Sequence, residues 1–389
     1  MRPKALIALA SIFVMTAVFA TTAVFGPHLQ PVQAGQESAY TVLEPIRNGS
    51  LTVFPVVASK SYSTSEFLTL DEGFRSGEVI VTENGNVHGL VRGRRTHLQQ
   101  DSAEVNRLVL INNSKRPLLL LAGEIVAGGK QDRVIGKDRI VPPESDPVDL
   151  DVFCVEPGRW VASSASFGAS GATYGSKAGA GVASSAPKAA VQTLMVQPSV
   201  RAKAMGDKNQ GQVWAEVQKQ QQSMEVEVAR AAPPASAAAI HSTSSYAVVM
   251  ENEDVKEKVD EVAKPIEQNY QSLIKQLRDR KAVGVVVAVD GRIVWSDIFA
   301  STELLEKYWP KLVRSYASEA IVNRVKAAEV TSAQAQAFLA EMEGRKQTIE
   351  SEPGIFRQTE IDGDGFKAFA LTSLLPKTGF DVHVAKMAD

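Results

Sequence analysis

The sequence predicts an α+β fold, with a mainly antiparallel sheet in its N-terminal half and helices with further antiparallel strands in its C-terminal half. Three observations support this class. Short runs of β-branched residues bounded by turn residues fill residues 40–161, apolar residues recur at helical spacing after residue 251, and apolar and polar residues alternate again after residue 347. Long low-complexity insertions separate these regions.

The first strands of the N-terminal half are short and rich in valine. Ser50–Ser59 predicts a strand in which Pro55 favours an edge position or a bulge. Residues 78–91 predict a hairpin about Asn84-Gly85, because this dipeptide is a strong signal for a two-residue turn. Residues 107–111 and 117–122 predict a second pair of strands about an Asn-Asn-Ser turn.

The stretch 118–160 organises the chain. Four leucines lead through Gly128-Gly129 into a dense run of mixed charge, and about three more strands are expected before residue 161. Rigid strands that present a polar loop are how many functional sites are built. We therefore expect function in this stretch.

Two segments interrupt the pattern. Residues 162–190 and 229–245 are rich in alanine, serine and glycine, and both are expected to be flexible low-complexity loops. Residues 211–224 lie between them and predict a helix whose apolar residues share one face.

The C-terminal part, residues 251–389, is expected to be α+β. A charged helix over residues 251–280 is expected to be interrupted at Pro265. A hairpin follows over residues 283–298, and then a helix in which Pro310 starts a second segment.

The last residues continue this pattern. Thr331 and Gln334 predict a capping box that opens a helix running to about Glu343. Residues 347–384 then predict three or four strands. We expect residues 40–389 to form one composite domain.

The N-terminus predicts export. Arg2 and Lys4 precede an apolar run over residues 5–25, and small residues up to Ala34 follow, which is typical of a signal peptide cleaved after Ala34. A run of about 20 apolar residues is also long enough for an uncleaved membrane anchor. Either alternative places the body of the protein outside the cytoplasm, in the periplasm or secreted, and only residues 5–25 would contact a membrane.

Composition excludes several classes of function. The net charge of −2 removes the electrostatic basis for nucleic-acid binding. A single cysteine allows neither an internal disulfide nor a Cys-x-x-Cys pair, and only five histidines are present. We therefore expect no metal and no cofactor, and the catalytic residues, if there are any, are unknown.

The candidate ligand-binding residues belong to the central stretch and to the end of its last strand. Carboxylates there are suited to proton transfer, and an arginine is suited to clamping a carboxylate or phosphate. The alternative is a solvated turn whose charges pair with one another. The candidates are Glu124, Lys130, Gln131, Asp132, Arg133, Arg159 and Trp160.

Three other patterns are weaker. Cys154 lies in an apolar strand and is more typical of a small buried residue than of a nucleophile. The basic turn at residues 92–97 is short and isolated. Residues 360–365 resemble half of a calcium loop, but Leu371 stands where the bidentate glutamate belongs.

Several segments together resemble a bacterial family known as a domain of unknown function. The family is named for its association with ADP-ribosyl-glycohydrolase and rhodanese-phosphatase-superfamily proteins. The resemblance covers roughly residues 50–320 and implies one domain, but it assigns no catalytic role. The segments are GEIVAGGKQDRVI (123–135), VFCVEPGRW (152–160), QVWAEV (212–217), VGVVVAVDGRIVWSDIFAS (283–301) and KYWPKLVRSYASEA (307–320).

Three functions fit these observations. The first is a non-catalytic binding module for a small polar or anionic ligand or for a protein. The second is a hydrolase acting on a nucleotide-like or ADP-ribose-like substrate, with Glu124 or Asp132 as acid–base residue and Arg133 steering an anionic group. The third is an envelope protein-interaction factor. Shifted carboxylate pKa values in a pocket would favour the hydrolase.

Overall fold

Segments rich in β-branched residues from both halves of the chain form strands. The computed structural model of the protein describes residues 39–83, 106–158, 166–169, 193–323 and 328–389. The strands are β1 (Tyr40–Val42), β2 (Ile46–Asn48), β3 (Leu51–Ala58), β4 (Leu68–Thr69), β5 (Val79–Thr82), β6 (Arg107–Asn112), β7 (Leu118–Leu120), β8 (Ile125–Gly128), β9 (Arg133–Ile135), β10 (Arg139–Val141), β11 (Val148–Cys154), β12 (Phe167–Gly168), β13 (Lys281–Val289), β14 (Arg292–Phe299), β15 (Gly344–Glu352), β16 (Phe356–Gly363), β17 (Phe366–Ser373) and β18 (Asp381–Ala388).

The helices lie mainly between residues 198 and 340, as the periodicity predicts. They are α1 (Leu70–Ser76), α2 (Pro198–Ala202), a π-helical turn (Lys203–Asp207), α3 (Gln210–Ala229), α4 (Pro234–His241), α5 (Tyr246–Glu251), α6 (Glu253–Gln276), α7 (Thr302–Val322) and α8 (Ser332–Ala340). Helices and antiparallel strands thus share the chain, and the fold is α+β.

A nine-stranded antiparallel sheet joins the two halves. Its order is β1-β3-β13-β14-β18-β17-β16-β15, and β2 also pairs with β3. The predicted hairpin of β13 and β14 is confirmed, with Asp290 and Gly291 at positive φ angles of 48° and 74°. The strands predicted over residues 347–384 are confirmed as β15–β18.

Pro55 lies in an interior strand, contrary to the edge position that proline favours. β3 pairs with β13 along one side and with β1 and β2 along the other. Pro55 lies beside the point where β1 ends and β2 begins. Its main-chain groups face the gap between these two strands, where Leu43 N donates to Pro55 O at 2.8 Å. Proline therefore removes no hydrogen bond from the sheet.

Six short strands close a barrel in the order β11-β6-β5-β12-β8-β9, and β10-β7-β4 form a small separate sheet. The predicted pairing of residues 107–111 with 117–122 is wrong. β6 pairs with β5 and β11, whereas β7 pairs with β10 and β4. The central stretch contributes β7 to β11, one strand more than predicted, because its charged run also forms strands.

The low-complexity insertions are only partly loops. Residues 229–245 were expected to be a loop, yet they contain α4, which opens at Pro233-Pro234, because proline is pre-organised for the first helical position. Within residues 162–190 the structure describes 166–169, where β12 completes the barrel. The rest of that insertion, the Asn84-Gly85 turn, the basic turn at residues 92–97 and the predicted signal peptide lie outside the described residues.

Helices α6 and α7 run through Pro265 and Pro310 without the predicted interruptions. Proline inside a helix costs about 3 kcal/mol, so these helices depend on packing. Tyr270 of α6 and Trp309 of α7 are completely or almost completely buried, and their ring centroids are 4.5 Å apart. Burial of such large side chains offsets the free-energy cost of the two prolines. The helix of residues 211–224 and the capping box of Thr331 and Gln334 are confirmed.

The helices cover both faces of the large sheet. α6 and α7 pack on one face against residues such as Val285 and Trp295, and α8 packs on the other against residues such as Phe54. The barrel has its own apolar interior. Residues 39–389 form one compact unit. Within the described ranges, no helix combines the length and the apolar character needed to cross a membrane.

Candidate functional site

The polar stretch predicted as a site is folded into the interior. Glu124 precedes β8, Lys130 to Asp132 lie between β8 and β9, and Arg133 begins β9. Glu124, Asp132 and Arg133 are completely buried, Gln131 is almost so, and Lys130 is partly exposed. The alternative of a solvated turn is therefore wrong. Two further candidates, Arg159 and Trp160, lie outside the described residues.

Asp132 fastens this turn to its surroundings. Its carboxylate accepts hydrogen bonds from Gly128 N at 3.0 Å and from Ser245 Oγ at 2.8 Å, and Ser245 also caps α5. Asp132 N donates to Glu156 Oε2 at 3.0 Å, and Gln131 Nε2 donates to Glu156 O at 3.0 Å. Because both oxygens of Asp132 already accept buried hydrogen bonds, this carboxylate serves to hold the structure.

Arg133 and Cys154 lie directly opposite each other where β9 pairs with β11. Cys154 is completely buried, and burial raises the pKa of its thiol. The thiolate is the nucleophilic form. The structure thus agrees with the packing role that the sequence indicates for Cys154.

Glu124 belongs to a buried cluster with Asp71, Thr193 and Lys311, here called the lysine cluster. Lys311 Nζ donates to Glu124 Oε1 at 2.5 Å, to Asp71 Oδ2 at 2.8 Å and to Thr193 Oγ1 at 3.0 Å. Thr193 donates to Asp71 Oδ1 through its main-chain N at 2.6 Å and its hydroxyl at 2.8 Å. Asp71 is provided by α1 and Lys311 by the inner face of α7.

The lysine cluster holds more carboxylates than cations. Burial raises the pKa of Glu124, although Lys311 opposes this. Burial disfavours the charged form of Lys311, but Glu124 and Asp71 raise the pKa of Lys311 above its ordinary value. The ammonium form of Lys311 is thus favoured, and burial makes Glu124 easier to protonate than an exposed glutamate.

A second buried cluster, here called the histidine cluster, contains Asp138, Arg201, Asp297, Tyr316 and His383. The imidazole of His383 lies between two carboxylates, with Nδ1 2.6 Å from Asp138 Oδ2 and Nε2 3.0 Å from Asp297 Oδ1. Arg201 NH1 donates to Asp297 Oδ2 at 2.9 Å, and Tyr316 donates to the same oxygen. These contacts join β18, β14, α2, α7 and the segment before β10.

The charges of the histidine cluster balance. Burial disfavours the charged imidazole, but Asp138 and Asp297 raise the pKa of His383 to about 9. Burial also disfavours the carboxylate of Asp297, but Arg201 and His383 hold the pKa of Asp297 well below its ordinary value. Two cations therefore face two carboxylates in a completely buried site.

The chain at Leu121 and Ala122 connects the two clusters. Leu121 N donates to Glu124 Oε2 at 2.8 Å, and Ala122 N donates to Asp138 Oδ1 at 2.8 Å. Ala122 O accepts from Arg201 Nε at 2.7 Å. Polar groups of the central stretch thus take part in both buried clusters.

Sequence reasoning identified Glu124 and missed its partners. Lys311 follows Leu304, Leu305 and Tyr308 on the apolar face of α7, and His383 stands between two valines in β18. The available signal for a buried cluster was an ionisable residue at an inward-facing position, because such residues are rarely buried without a partner. Which partner each has depends on pairing across hundreds of residues.

A cleft with a volume of about 330 Å³ lies between the barrel and the large sheet. The π-helical turn and β15–β17 contribute to its walls, together with β11. Its apolar lining includes Phe153, Met205, Ile349 and Phe369, and its polar lining includes Lys137, Asp151, Lys208, Glu350 and Gln358. The volume is at the lower end of the range for small-molecule sites, about 300–1,000 Å³.

Gln358 distinguishes this cleft. Its side chain is completely buried, and neither its amide nitrogen nor its amide oxygen has a hydrogen-bond partner among the described residues. Leaving a buried amide unpaired costs about 1–3 kcal/mol. Buried side-chain amides are rarely left unpaired, so this one in the wall of a cleft calls for an explanation.

The lysines of the cleft are already paired. Lys137 contacts both Asp151 and Glu350, and Lys208 Nζ lies 2.8 Å from Glu360 Oε2. The positive charge at the rim is therefore balanced by carboxylates. Among the described residues, no group of three or more histidine, cysteine, aspartate and glutamate side chains is arranged to hold a metal ion.

Comparison with known proteins identifies the family. The sequence model of the ARG and Rhodanese-Phosphatase-superfamily-associated Protein domain matches residues 39–386. Neither the search of curated proteins nor the search of solved structures found a match. The match extends beyond the segments that carry the resemblance and includes the last strands of the large sheet. The chain therefore belongs to the ARG and Rhodanese-Phosphatase-superfamily-associated Protein domain family.

Proposed function

We propose that this protein is a non-catalytic binding module for a small, uncharged, polar ligand that carries an amide group. The single observation behind this proposal is the buried, unpartnered amide of Gln358 in the wall of the cleft. A side-chain amide presents a donor beside an acceptor, and a second amide presents the complementary pair. Phe153 and Phe369 supply an apolar lining suited to the remainder of such a ligand.

The charges of the cleft favour a neutral ligand over an anionic one. An anion would have to compete with Asp151 and Glu350 for Lys137, and with Glu360 for Lys208. A neutral amide requires no such exchange. It also removes the penalty at Gln358 without adding a charge to a partly apolar site.

The hydrolase alternative has weaker support. Glu124 and Asp132, the carboxylates that would act as acid and base, are completely buried and already hydrogen-bonded. The raised pKa of Glu124 is the one feature in its favour. A general acid or base has to reach its substrate within hydrogen-bond distance, and the cleft is not lined by either residue.

Replacing Gln358 by leucine is expected to leave the free energy of unfolding unchanged or to raise it by up to about 2 kcal/mol, because an unpaired buried amide is removed. Gln220 provides the matched control. It is buried, accepts from Gln197 Nε2 at 2.7 Å, and donates to Ser199 Oγ at 3.0 Å. Gln220→Leu is expected to lower the free energy of unfolding by about 1–3 kcal/mol. Urea denaturation measures the free energy of unfolding of both variants. Equal losses would show that the Gln358 amide has hydrogen-bond partners in the folded protein and would refute the site.

Ligand chemistry can be tested with matched probes. Benzamide and nicotinamide are expected to raise the melting temperature. At a concentration a hundred times the dissociation constant, either ligand would add about 2.7 kcal/mol to the free energy of unfolding. Benzoate and nicotinate have the same shape but a charge, and they are expected to have little effect. Gln358→Leu should lose the response, and Gln220→Leu should keep it. Equal responses to amides and carboxylates, or a response that survives in Gln358→Leu, would contradict the proposal.

We also propose that the protein acts outside the cytoplasm, which is supported by the basic start, apolar run and small-residue exit of residues 2–34. Mass spectrometry of the protein from its native envelope fraction is expected to find a chain that begins at Gly35. A chain that retains residues 5–25 and sediments with membranes would favour the anchored form. Recovery of the intact chain from the cytoplasm would exclude export.

A further inference from the structure

We propose that the lysine cluster is the site of an intramolecular amide bond, formed between Nζ of Lys311 and the side-chain carboxyl group of Asp71, with Glu124 as the proton carrier. Lys311 Nζ lies 2.8 Å from Asp71 Oδ2 and 2.5 Å from Glu124 Oε1. The three side chains are 2 %, 8 % and 0 % exposed, respectively, for Lys311, Asp71 and Glu124. An amine, an acceptor carboxyl group and a second carboxyl group are thus held together away from water. This modification does not depend on the proposed ligand.

Asp71 is better prepared as the acceptor than Glu124. Attack on a carboxyl carbon places negative charge on the oxygen that stays behind, and fixed donors stabilise that charge. Asp71 Oδ1 receives Thr193 N at 2.6 Å and Thr193 Oγ1 at 2.8 Å, while Oδ2 faces the amine. Glu124 Oε2 receives Leu121 N at 2.8 Å, and its Oε1 is the oxygen nearest to Nζ. Asp71 therefore has two donors on the retained oxygen, and Glu124 has one.

The reaction balances without a further reactant. Lys311 gives one proton from Nζ to Glu124 Oε1, and the lone pair of the neutral amine attacks Cγ of Asp71. Glu124 passes this proton to Oδ2, then takes a second proton from the nitrogen, which is positively charged after the attack, and passes it to the same oxygen. Oδ2 leaves as water when the C–O bond breaks. An ammonium group and a carboxylate thus become one amide and one water molecule, and no electron is transferred. Burial raises the pKa of Glu124, which suits a carboxyl group that takes up and returns a proton.

Position and burial favour this product. Well-oriented groups held at contact distance reach effective molarities of about 10⁵–10⁸ M. The reaction also removes one ammonium and one carboxylate from an interior where charges are costly. The amine also lies beside an aromatic ring, since the ring centroid of Tyr308 is 4.8 Å from Nζ. The fold thus supplies both proximity and a dry site.

Mass spectrometry of the purified full chain tests the proposal directly. The intact mass is expected to be about 18 Da below the mass calculated for the unlinked chain, because one water is lost. Loss of water at an Asp-Gly pair such as Asp290-Gly291 gives the same change, so a peptide map is required. Proteolysis is expected to yield one branched species that contains both Asp71 and Lys311, and this species should resist hydroxylamine, which cleaves the cyclic imides of Asp-Gly pairs.

Three variants sharpen the result. Glu124→Gln keeps the amine and the acceptor but cannot carry the proton, and it is expected to retain the full mass. Asp71→Asn leaves ammonia rather than water as the leaving group, so any linked product is about 17 Da lighter than the variant's unlinked chain. Lys307→Met lies one turn away on α7 and is expected to keep the bond. Separate, unlinked peptides containing Asp71 and Lys311 in the wild-type map would overturn the proposal, even if every variant failed to fold. A Lys311–Glu124 branch would overturn the assignment of the acceptor.

Discussion

Replacing His383 by leucine is expected to lower the free energy of unfolding by about 3–5 kcal/mol, because removal of one partner leaves buried charge uncompensated. The imidazole bridges Asp138 and Asp297, and all three side chains are completely buried. Asp297 would keep Arg201 and Tyr316, whereas Asp138 would keep only Ala122 N among its described hydrogen bonds. Urea denaturation of the two proteins measures the difference.

His241 gives the matched control for this change. Its side chain is 78 % exposed, and it lies 3.3 Å from Glu225 on the surface. We expect His241→Leu to change the free energy of unfolding by less than about 0.5 kcal/mol. The double variant His383→Leu/Asp138→Asn should recover part of the loss, because it also removes the carboxylate left without a counter-ion. If His383→Leu were as mild as His241→Leu, the imidazole would not hold the cluster together.

The same histidine makes stability depend on pH. Its pKa is raised from 6.5 to about 9 in the folded protein, so the folded state binds more protons than the unfolded state between these values. The stabilisation is therefore complete below about pH 6.5 and is lost as the pH rises through 9. With about 1.4 kcal/mol per pKa unit, the loss amounts to about 3 kcal/mol.

Lys386 makes the free energy of unfolding depend on pH in the opposite sense to His383, so its contribution has to be removed. Burial lowers the pKa of Lys386 from 10.5 to about 8, so this residue adds stability as the pH rises above 8. Subtracting the curve of His383→Leu from that of the wild type removes the contribution of Lys386. The difference in free energy of unfolding is expected to shrink by about 3 kcal/mol from pH 6.5 to 9. Two parallel curves would mean that His383 does not carry its charge between the two carboxylates.

The local features of the fold could be predicted because they depend on neighbouring residues. The hairpin at Asp290-Gly291 follows from two residues at positive φ, and the capping box at Thr331 follows from a hydrogen bond to a residue three positions on. The sequence predictions were wrong where packing overrides the local preference of a residue. Pro310 was expected to begin a helix, yet burial of Trp309 and its neighbours carries α7 through it.

Local patterns could single out Glu124 but not its partners. Glu124 was recognised from its position after four leucines, and the structure places it in a buried cluster. Its partners Asp71 and Lys311 lie 53 and 187 residues away, and no local pattern pairs them. Gln358 was not singled out, since a glutamine in an alternating strand is ordinary until its environment is known.

By itself the sequence determined the α+β class, the likeness to one family and the near-neutral charge. These depend on composition, on periodicity and on short spacings along the chain. Only the tertiary structure decided that the polar stretch faces inward, that His383 lies between two carboxylates, and that an unpaired amide lines a cleft. Burial and long-range pairing determine whether a polar side chain binds a ligand, carries a charge or holds the core, and both arise only when distant segments meet.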